Sequence, residues 1–371
     1  MSTVSAENVA AFRLARHHLV KPCHAGLIKA AADVCGVQAQ VLSSGEHSLA
    51  LRTAAATRTA IRNALWKDRT LVRALLQRQT LHLIPAVDFH LYIAALKRSR
   101  MGAVLRVMAR LGITPARADA ITQSIVDELQ AGPLTRQELT RRVIAKASGK
   151  EKKWMQLVSM VARPAAVQGL VCYGEQRGAE TLYVRTEQWL AACKPVSEED
   201  AKAELFTRFF RAYGPATLAD MVKWSGMPVP EARAALAAIR DRLTEVAIDG
   251  KPAFVLIEDF PQLRASRLKA ETLRLLPGFD TYLLAHASKD HLIPTAHYKK
   301  VYRSQGWISA TVLLNGRIVG TWGAERKGSK LQIQVDPFEK LPRTLHSKLE
   351  EQVEWIEKFV GADAVLNMSR K

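Results

Sequence analysis

The chain has no run of about 18 apolar residues, so nothing in it reads as a membrane-spanning helix. Its first residues also lack a continuous apolar core. Arg13, Arg16 and His17 interrupt it, and no signal peptide is expected. Cysteine is scarce. Cys23, Cys35, Cys172 and Cys193 match no C-x-x-C spacing, and Cys23 and Cys35 with His24 fall short of a four-ligand set. His286, His291 and His297 are spaced too loosely to form a metal site. Reduced thiols in a cytoplasmic protein are expected, with no metal and no cofactor. There is no P-loop, no Rossmann glycine fingerprint, no nucleophile elbow and no low-complexity segment. Aromatic residues are few, at 6%, and no aromatic-rich ribonucleoprotein signature is present, which weighs against an RNA-binding module. Negative charge is also short: 35 acids stand against 54 Lys and Arg, a net +19. That balance favours a polyanionic partner, nucleic acid first, over a merely soluble basic protein.

What is present points to several packed domains. With 371 residues, 48% of them hydrophobic, the chain is long enough for two or three cores. A short repeat organises its middle. Gly132-Pro133-Leu134-Thr135-Arg136-Gln137-Glu138 parallels Gly214-Pro215-Ala216-Thr217-Leu218-Ala219-Asp220. Gly-Pro ends the preceding helix, Thr caps the next, and the acid three residues on closes a capping box. Thr114-Pro115 and Ser197 with Asp200 start the helices before each copy. Ile121, Ile125, Val126 and Leu129 give the first of these an apolar face, and Leu205, Phe206, Phe209, Phe210 and Tyr213 the second. Each copy leads through two more helices to a hairpin. One spans residues 170–184 with Gly174 and Gly178 in its turn; the other spans 243–256 around Asp249-Gly250. Three helices and a hairpin make a winged helix.

The expected fold class is therefore α+β, with tandem winged-helix domains and a C-terminal β-meander. Residues 1–112 are read as a divergent N-terminal winged helix, 113–194 as the second and 195–262 as the third, with a short linker at 194–199. Residues 263–371 hold the meander and a helix. In the meander, strands 311–314 and 317–322 flank Asn315-Gly316, and 331–335 alternates as a third strand.

Basic residues gather at two places. Arg141, Arg142, Lys146, Lys150, Lys152 and Lys153 oppose only Glu151 and lead into the third helix of the first repeat, the recognition position of a helix-turn-helix. Arg326, Lys327 and Lys330 flank a hairpin turn at Gly328. An isolated basic run is more commonly a solvated face, and Gly328 suits an ordinary tight turn; position in the motif makes phosphate contact the competing reading. Asn315 and Arg317 are further expected DNA contacts.

The most informative short feature is Gln38-Ala39-Gln40. If its backbone is extended, both amides point to one side; if it is turn-like, they converge. Two carboxamides can hold one water or ribose oxygen, since each offers an acceptor and two donors. A bare Q-x-Q is otherwise an ordinary polar loop. Its surroundings are not ordinary. Val37-Gln38-Ala39-Gln40, Ala64-Leu65-Trp66, and Arg78-Gln79-Thr80-Leu81-His82-Leu83-Ile84-Pro85 occur in order. They are followed by the Tyr213–Asp220 stretch, Trp224-Ser225-Gly226, the Leu276–Leu284 stretch containing Leu-Pro-Gly-Phe-Asp, and the Asn315–Trp322 stretch. Together these resemble the bacterial winged-helix DNA glycosylases of the AlkZ/YcaQ superfamily, over nearly the whole chain. Gln40 at the second motif position resembles the AlkZ branch, which carries Gln-x-Gln where the YcaQ branch carries Gln-x-Asp. Family members often have an acid soon after the motif; here Val41-Leu42-Ser43-Ser44 follows.

The resemblance implies a DNA glycosylase with Gln38 and Gln40 as its catalytic residues. It implies a substrate of bulky N7-alkylguanine lesions or interstrand crosslinks in double-stranded DNA. N7 alkylation makes the base cationic and a good leaving group, so positioned water and fixed dipoles suffice. The products would be a free base and an abasic site, and with no lysine in the motif no lyase step is expected. Thr80 and His82 match the family's Thr-Leu-His element and are expected near the site, although a histidine in an apolar strand is more often structural. Asp280 and Tyr282 are expected to support it, although Phe279 and Leu283 beside them look like core. A bacterial cytoplasmic, nucleoid-associated monomer without membrane contact is expected. The rival is a non-enzymatic winged-helix regulator, which shares the charge and the repeat but has no need of the two glutamines.

Overall fold

The computed structural model describes residues 2–147, 149, 152 and 162–369. The chain opens with β1 (Ser2–Val4) and α1 (Ala6–Arg16). Then come α2 (Leu27–Asp33), β2 (Val37–Gln38), α3 (Leu42–Leu51), α4 (Arg58–Arg62) and the hairpin β3 (Leu71–Leu75) and β4 (Leu81–Pro85). The long α5 (Phe89–Arg110) leads to α6 (Pro115–Glu128), β5 (Leu134–Thr135), α7 (Arg136–Ala145) and α8 (Arg163–Val167). A wing of β6 (Val171–Arg177) and β7 (Glu180–Arg185) closes this unit. The next unit is α9 (Glu198–Tyr213), α10 (Leu218–Ser225) and α11 (Val229–Ala238) with the wing β8 (Leu243–Ile248) and β9 (Lys251–Leu256). Last come β10 (Leu273–Leu276), β11 (Thr311–Leu314), β12 (Arg317–Lys327), β13 (Lys330–Pro337), α12 (His346–Val360) and β14 (Ala364–Met368). The class is α+β, built on winged helices with a β-rich C-terminal part.

Local chemistry sets most element ends. Thr135 with Glu138 and Thr217 with Asp220 form reciprocal capping boxes, and Thr114 caps a helix with proline in its first turn. Both φ angles are positive at Asp249-Gly250 (48° and 76°) and at Asn315-Gly316 (50° and 87°), the backbone a two-residue hairpin turn requires. One glycine lies elsewhere than expected. The β6–β7 turn is at Gly178, whereas Gly174 sits within β6 beside a register shift between Tyr173 and Gln176. A Cβ on Gly174 would come within 2.9 Å of Val184 Cγ1, so close strand approach requires the bare backbone.

Long-range pairing then joins the units. The first two wings form one six-stranded sheet, β2-β4-β3-β6-β7-β5, with Arg73 opposite Tyr173 at the junction. Residues 2–16 pack on the third unit rather than the first: β1 runs parallel to β8, with Ser2 opposite Val246, and the α1 side chains Val9 and Phe12 share a core with Val246 and Val255. The C-terminal sheet has five strands, β10-β11-β12-β13-β14, and α12 carries the chain across to β14, parallel to β13. The largest core packs Phe206, Phe209, Phe210 and Trp224 against Val72, Ile84, Phe89 and Tyr92, which fixes the third unit against the first. Among the described residues no helix is long and apolar enough to cross a membrane.

Candidate active site

The glutamine pair lies where β2 ends and α3 begins. Val37 and Gln38 pair antiparallel with Leu83 and His82, and the Ala39 N–H donates to Leu81 O at 2.7 Å, so extended pairing runs on through Ala39. Extended backbone alternates its faces. Val37 and Ala39 point into a fully buried apolar core, which leaves Gln38 and Gln40 on the opposite face. Gln38 is only 4% exposed, whereas Gln40 is open to solvent. The middle residue must be small. The first turn of α3 crosses directly over it, and a Cβ on Gly45 would fall 2.6 Å from the Ala39 Cβ.

Both amide orientations are fixed by partners that can only donate. Arg78 Nη2 donates to Gln38 Oε1 at 2.7 Å, and the Leu81 N–H donates to Gln40 Oε1 at 3.2 Å. The carbonyl ends are therefore turned into the protein. Neither Nε2 donates to a protein acceptor among the described residues, so each glutamine presents its NH2 together with the remaining carbonyl lone pair. A water between such amides accepts from one and donates to the other.

Two arginines hold this arrangement. Arg78 sits in the tight β3–β4 turn with φ of 53°, and its Nη1 donates to Trp224 O at 2.6 Å at the end of α10. Burial pulls its guanidinium down to about 10, which leaves it charged at neutral pH. The turn tucks under the third unit because Gly226 there has no side chain: a Cβ would lie 3.1 Å from Arg78 Cα. Arg73 works on the backbone. Its Nε and Nη2 donate to Ala39 O at 3.1 and 2.9 Å, and Nη2 also reaches Gln40 O at 3.3 Å.

The residues expected around the pair divide. His82 lies directly across the ladder from Gln38, and its Nδ1 donates to Thr80 O at 3.0 Å. Burial, reinforced by Arg78, lowers this imidazole to about 3, so it is neutral. The Thr80 hydroxyl is spent on the turn, donating to Gln77 O at 3.0 Å. Asp280 and Tyr282 make no hydrogen bond to either glutamine. Asp280 is fully buried and takes a bidentate pair from Arg52 (2.9 and 2.7 Å), the Ser48 hydroxyl (2.7 Å) and the Tyr282 N–H (3.0 Å). This ion pair ties α3 to the loop after β10. Tyr282 turns its ring edge-on to His17 and lines a separate cavity.

Of the expected DNA contacts, Arg326, Lys327 and Lys330 are exposed at the β12–β13 tip, where Lys327 lies 3.5 Å from Glu325. Arg317 is exposed, but Asn315 is a turn residue whose Oδ1 accepts from the Thr272 N–H at 2.8 Å. Arg141 and Arg142 are exposed on α7. Glu128, from the neighbouring α6, pairs with Arg142 at 3.7 Å and Lys146 at 2.6 Å, so that run is less positive than its own sequence suggests. Lys152 is exposed; Lys150, Glu151 and Lys153 lie outside the described residues. Cys23, Cys35 and Cys172 are buried and Cys193 exposed, all as free thiols. The ligand-type cluster among the described residues is His18, Cys23 and Asp33, not the Cys23, His24 and Cys35 set. It is closed on itself, since His18 Nε2 lies 2.9 Å from one Asp33 oxygen and Lys29 pairs with the other.

Three residues at the site carry roles that the sequence alone does not assign. Arg78 stands inside a family-like motif with nothing local to show its partner. Arg73 is visible as a lone cation in the apolar strand Leu-Val-Arg-Ala-Leu. Glu46 is a fully buried acid six positions after Gln40, paired with Arg58 at 3.2 Å and Arg62 at 2.7 Å. It supplies an acid close behind the motif, just beyond the Val41–Ser44 stretch that lacks one.

A family model described as DNA glycosylase AlkZ-like matches residues 31–359. The interstrand DNA cross-link repair glycosylase of Streptomyces sahachiroi is 31% identical over 345 residues, covering 90% of this chain and 91% of that protein. The solved structure of Streptomyces sahachiroi DNA glycosylase AlkZ superposes with a TM-score of 0.85 at 29% identity, covering 99% of this chain and all of that one.

Proposed function

Because the chain belongs to the AlkZ-like family of DNA glycosylases, and is therefore a hydrolase of N-glycosyl bonds in DNA, we propose that it excises bulky N7-alkylguanine adducts and unhooks N7-linked interstrand crosslinks, with Gln38 and Gln40 as its catalytic pair. One observation carries the reading: two adjacent amides on one face of a strand, each with its carbonyl oriented by a donor-only partner. No carboxylate among the described residues bonds to either glutamine, and a cationic N7-alkylguanine needs none to protonate it as it leaves. As its glycosidic bond lengthens, charge moves from the base to the deoxyribose. The amides hold a water against C1′ and supply fixed dipoles where charge develops, in a setting that does not reorganise.

Water, rather than an amine, is the proposed nucleophile. The cations beside the glutamines are guanidiniums. Lys289, which burial holds at about 7, gives its protons to Leu283 O at 2.9 Å and to His286 O. The product is an abasic site without strand cleavage, and the partner is duplex DNA. The test is to incubate the protein with duplex carrying N7-methylguanine or an N7–N7 crosslink. Sites cleaved only after heat or alkali support the reading; strand breaks without such treatment, or no excision of either lesion, overturn it.

A further inference from the structure

A cavity of about 720 Å³ lies between the third unit and the C-terminal sheet, and neither glutamine lines it. Its walls come from α1, the β8–β9 wing tip, the loop at 286–291 and the β11–β12 turn. The volume is that of a site for one small molecule.

Two buried polar groups on its lining are incompletely satisfied. Arg13 is 6% exposed, and its Nη2 donates to Pro215 O at 2.6 Å. Its Nε has no partner, and no carboxylate pairs with it among the described residues. Arg52, equally buried, has Asp280 as a counter-ion at 2.7 Å. Arg100, which lacks one, donates to the carbonyls of Leu96 and Leu75, although its Nη2, like Arg52 Nε, has no partner among the described residues. Arg13 alone of the three lines this cavity. Asp220, the buried acid of the lining, accepts from Ala287 N and from the N–H and hydroxyl of Thr217, and its charge acts on Arg13 from beyond ion-pair distance. His286 is 5% exposed; its Nε2 donates to Tyr213 O at 3.1 Å, so in the neutral ring Nδ1 is an acceptor, and it has no partner among the described residues. A buried cation with no carboxylate in ion-pair contact and a buried acceptor without a donor are each unfavourable. Val9, Ala10, Ile248, Pro252 and Leu268 complete an apolar wall.

We infer that this cavity binds a small organic oxyanion, its carboxylate or phosphate on Arg13 and a hydroxyl or amino donor beside it on His286 Nδ1, with an apolar body against α1 and the wing. Such a ligand joins the third unit to the C-terminal sheet and stabilises the folded chain as its concentration rises.

The experiment is thermal unfolding of the full chain with three separate probes: inorganic phosphate, deoxyguanosine monophosphate and malate. A concentration-dependent rise in Tm with at least one is expected. Deoxyguanosine monophosphate or malate identifies the oxyanion as phosphate or carboxylate, and phosphate alone shows that the anion subsite suffices. The rise should vanish in Arg13→Met and persist in Gln38→Ala, which separates this site from the catalytic one. Ala6→Trp places a large side chain at the cavity mouth from an exposed position, so it should abolish the shift in a chain that folds even if Arg13→Met does not. No shift with any probe, or equal shifts in wild type and Ala6→Trp, overturns the inference.

Discussion

Gln38 cannot turn its amide over, because its carbonyl sits on a guanidinium that has only protons to give. Catalysis by a neutral amide depends on that, since the group has no charge or pKa to contribute and acts through position alone. Gln38→Ala and Gln40→Ala should each lower single-turnover excision of N7-methylguanine on the order of 10²-fold, the loss seen when one preorganised dipole is removed. Duplex affinity should stay within a few fold. Under the proposal the two amides act on one water, so the double variant should lose less than the product of the single losses. Wild-type rates in the single variants would remove the pair from the mechanism. Under the proposal Arg78 acts through Gln38: Arg78→Met should approach the Gln38→Ala rate, and in the Gln38→Ala background it should change the rate little further. A full additional loss there would mean that Arg78 acts on DNA or on the fold, not through Gln38.

Elements whose ends are set by neighbours in the chain were legible from sequence. The capping boxes at Thr135 and Thr217 and the two-residue turns at Asp249 and Asn315 need only three or four residues to specify them. The glutamine pair was legible for a related reason: Val-Gln-Ala-Gln carries the period of a strand, and its motif neighbours run in order along the chain. The other half of the site was not legible. Arg78 reaches Gln38 across 40 positions and Arg73 reaches Ala39 across 34, while β1 finds β8 across the whole winged-helix region. Such pairings are chosen by packing, not by local pattern. Asp280 likewise finds Arg52 and Ser48, at the end of the helix that follows the pair, across 228 and 232 positions. The β12–β13 tip can be tested as an element in its own right. Changing Arg326, Lys327 and Lys330 together to Ala should flatten the log–log dependence of duplex affinity on salt by roughly one unit for each phosphate no longer neutralised. An unchanged slope would place the DNA away from that hairpin.

At the scale of the whole molecule, a net +19 draws the chain to DNA and also leaves its fold with little tolerance for added positive charge. Four histidines are buried and a fifth, His291, is half-buried, all in neutral form. Burial holds His47 at about 4, His82 at about 3 and His291 at about 2, and it holds His17 and His286 well below the ordinary histidine value. Arginines beside His17 and His82 push the same way. The sign follows from where the protons go. Above about pH 6.5 both folded and unfolded chains carry these rings neutral, and pH has no hold on stability through them. Below it the unfolded chain binds protons that the folded chain refuses, so stability falls as pH falls, by up to ~1.4 kcal/mol per pH unit for each ring. Five such rings would exhaust the roughly 5–15 kcal/mol of a typical fold within about two pH units. Tm should therefore fall only slightly from pH 8 to 7, through Lys289, whose charged form burial disfavours in the folded chain, and drop steeply between about pH 6 and 5, before most carboxylates titrate. His47→Gln, which removes one of these protons beside Trp322 and Trp355, should make the drop shallower even if it lowers Tm at pH 8. A Tm that stays level down to pH 4.5 would mean that these rings take up protons without unfolding the chain.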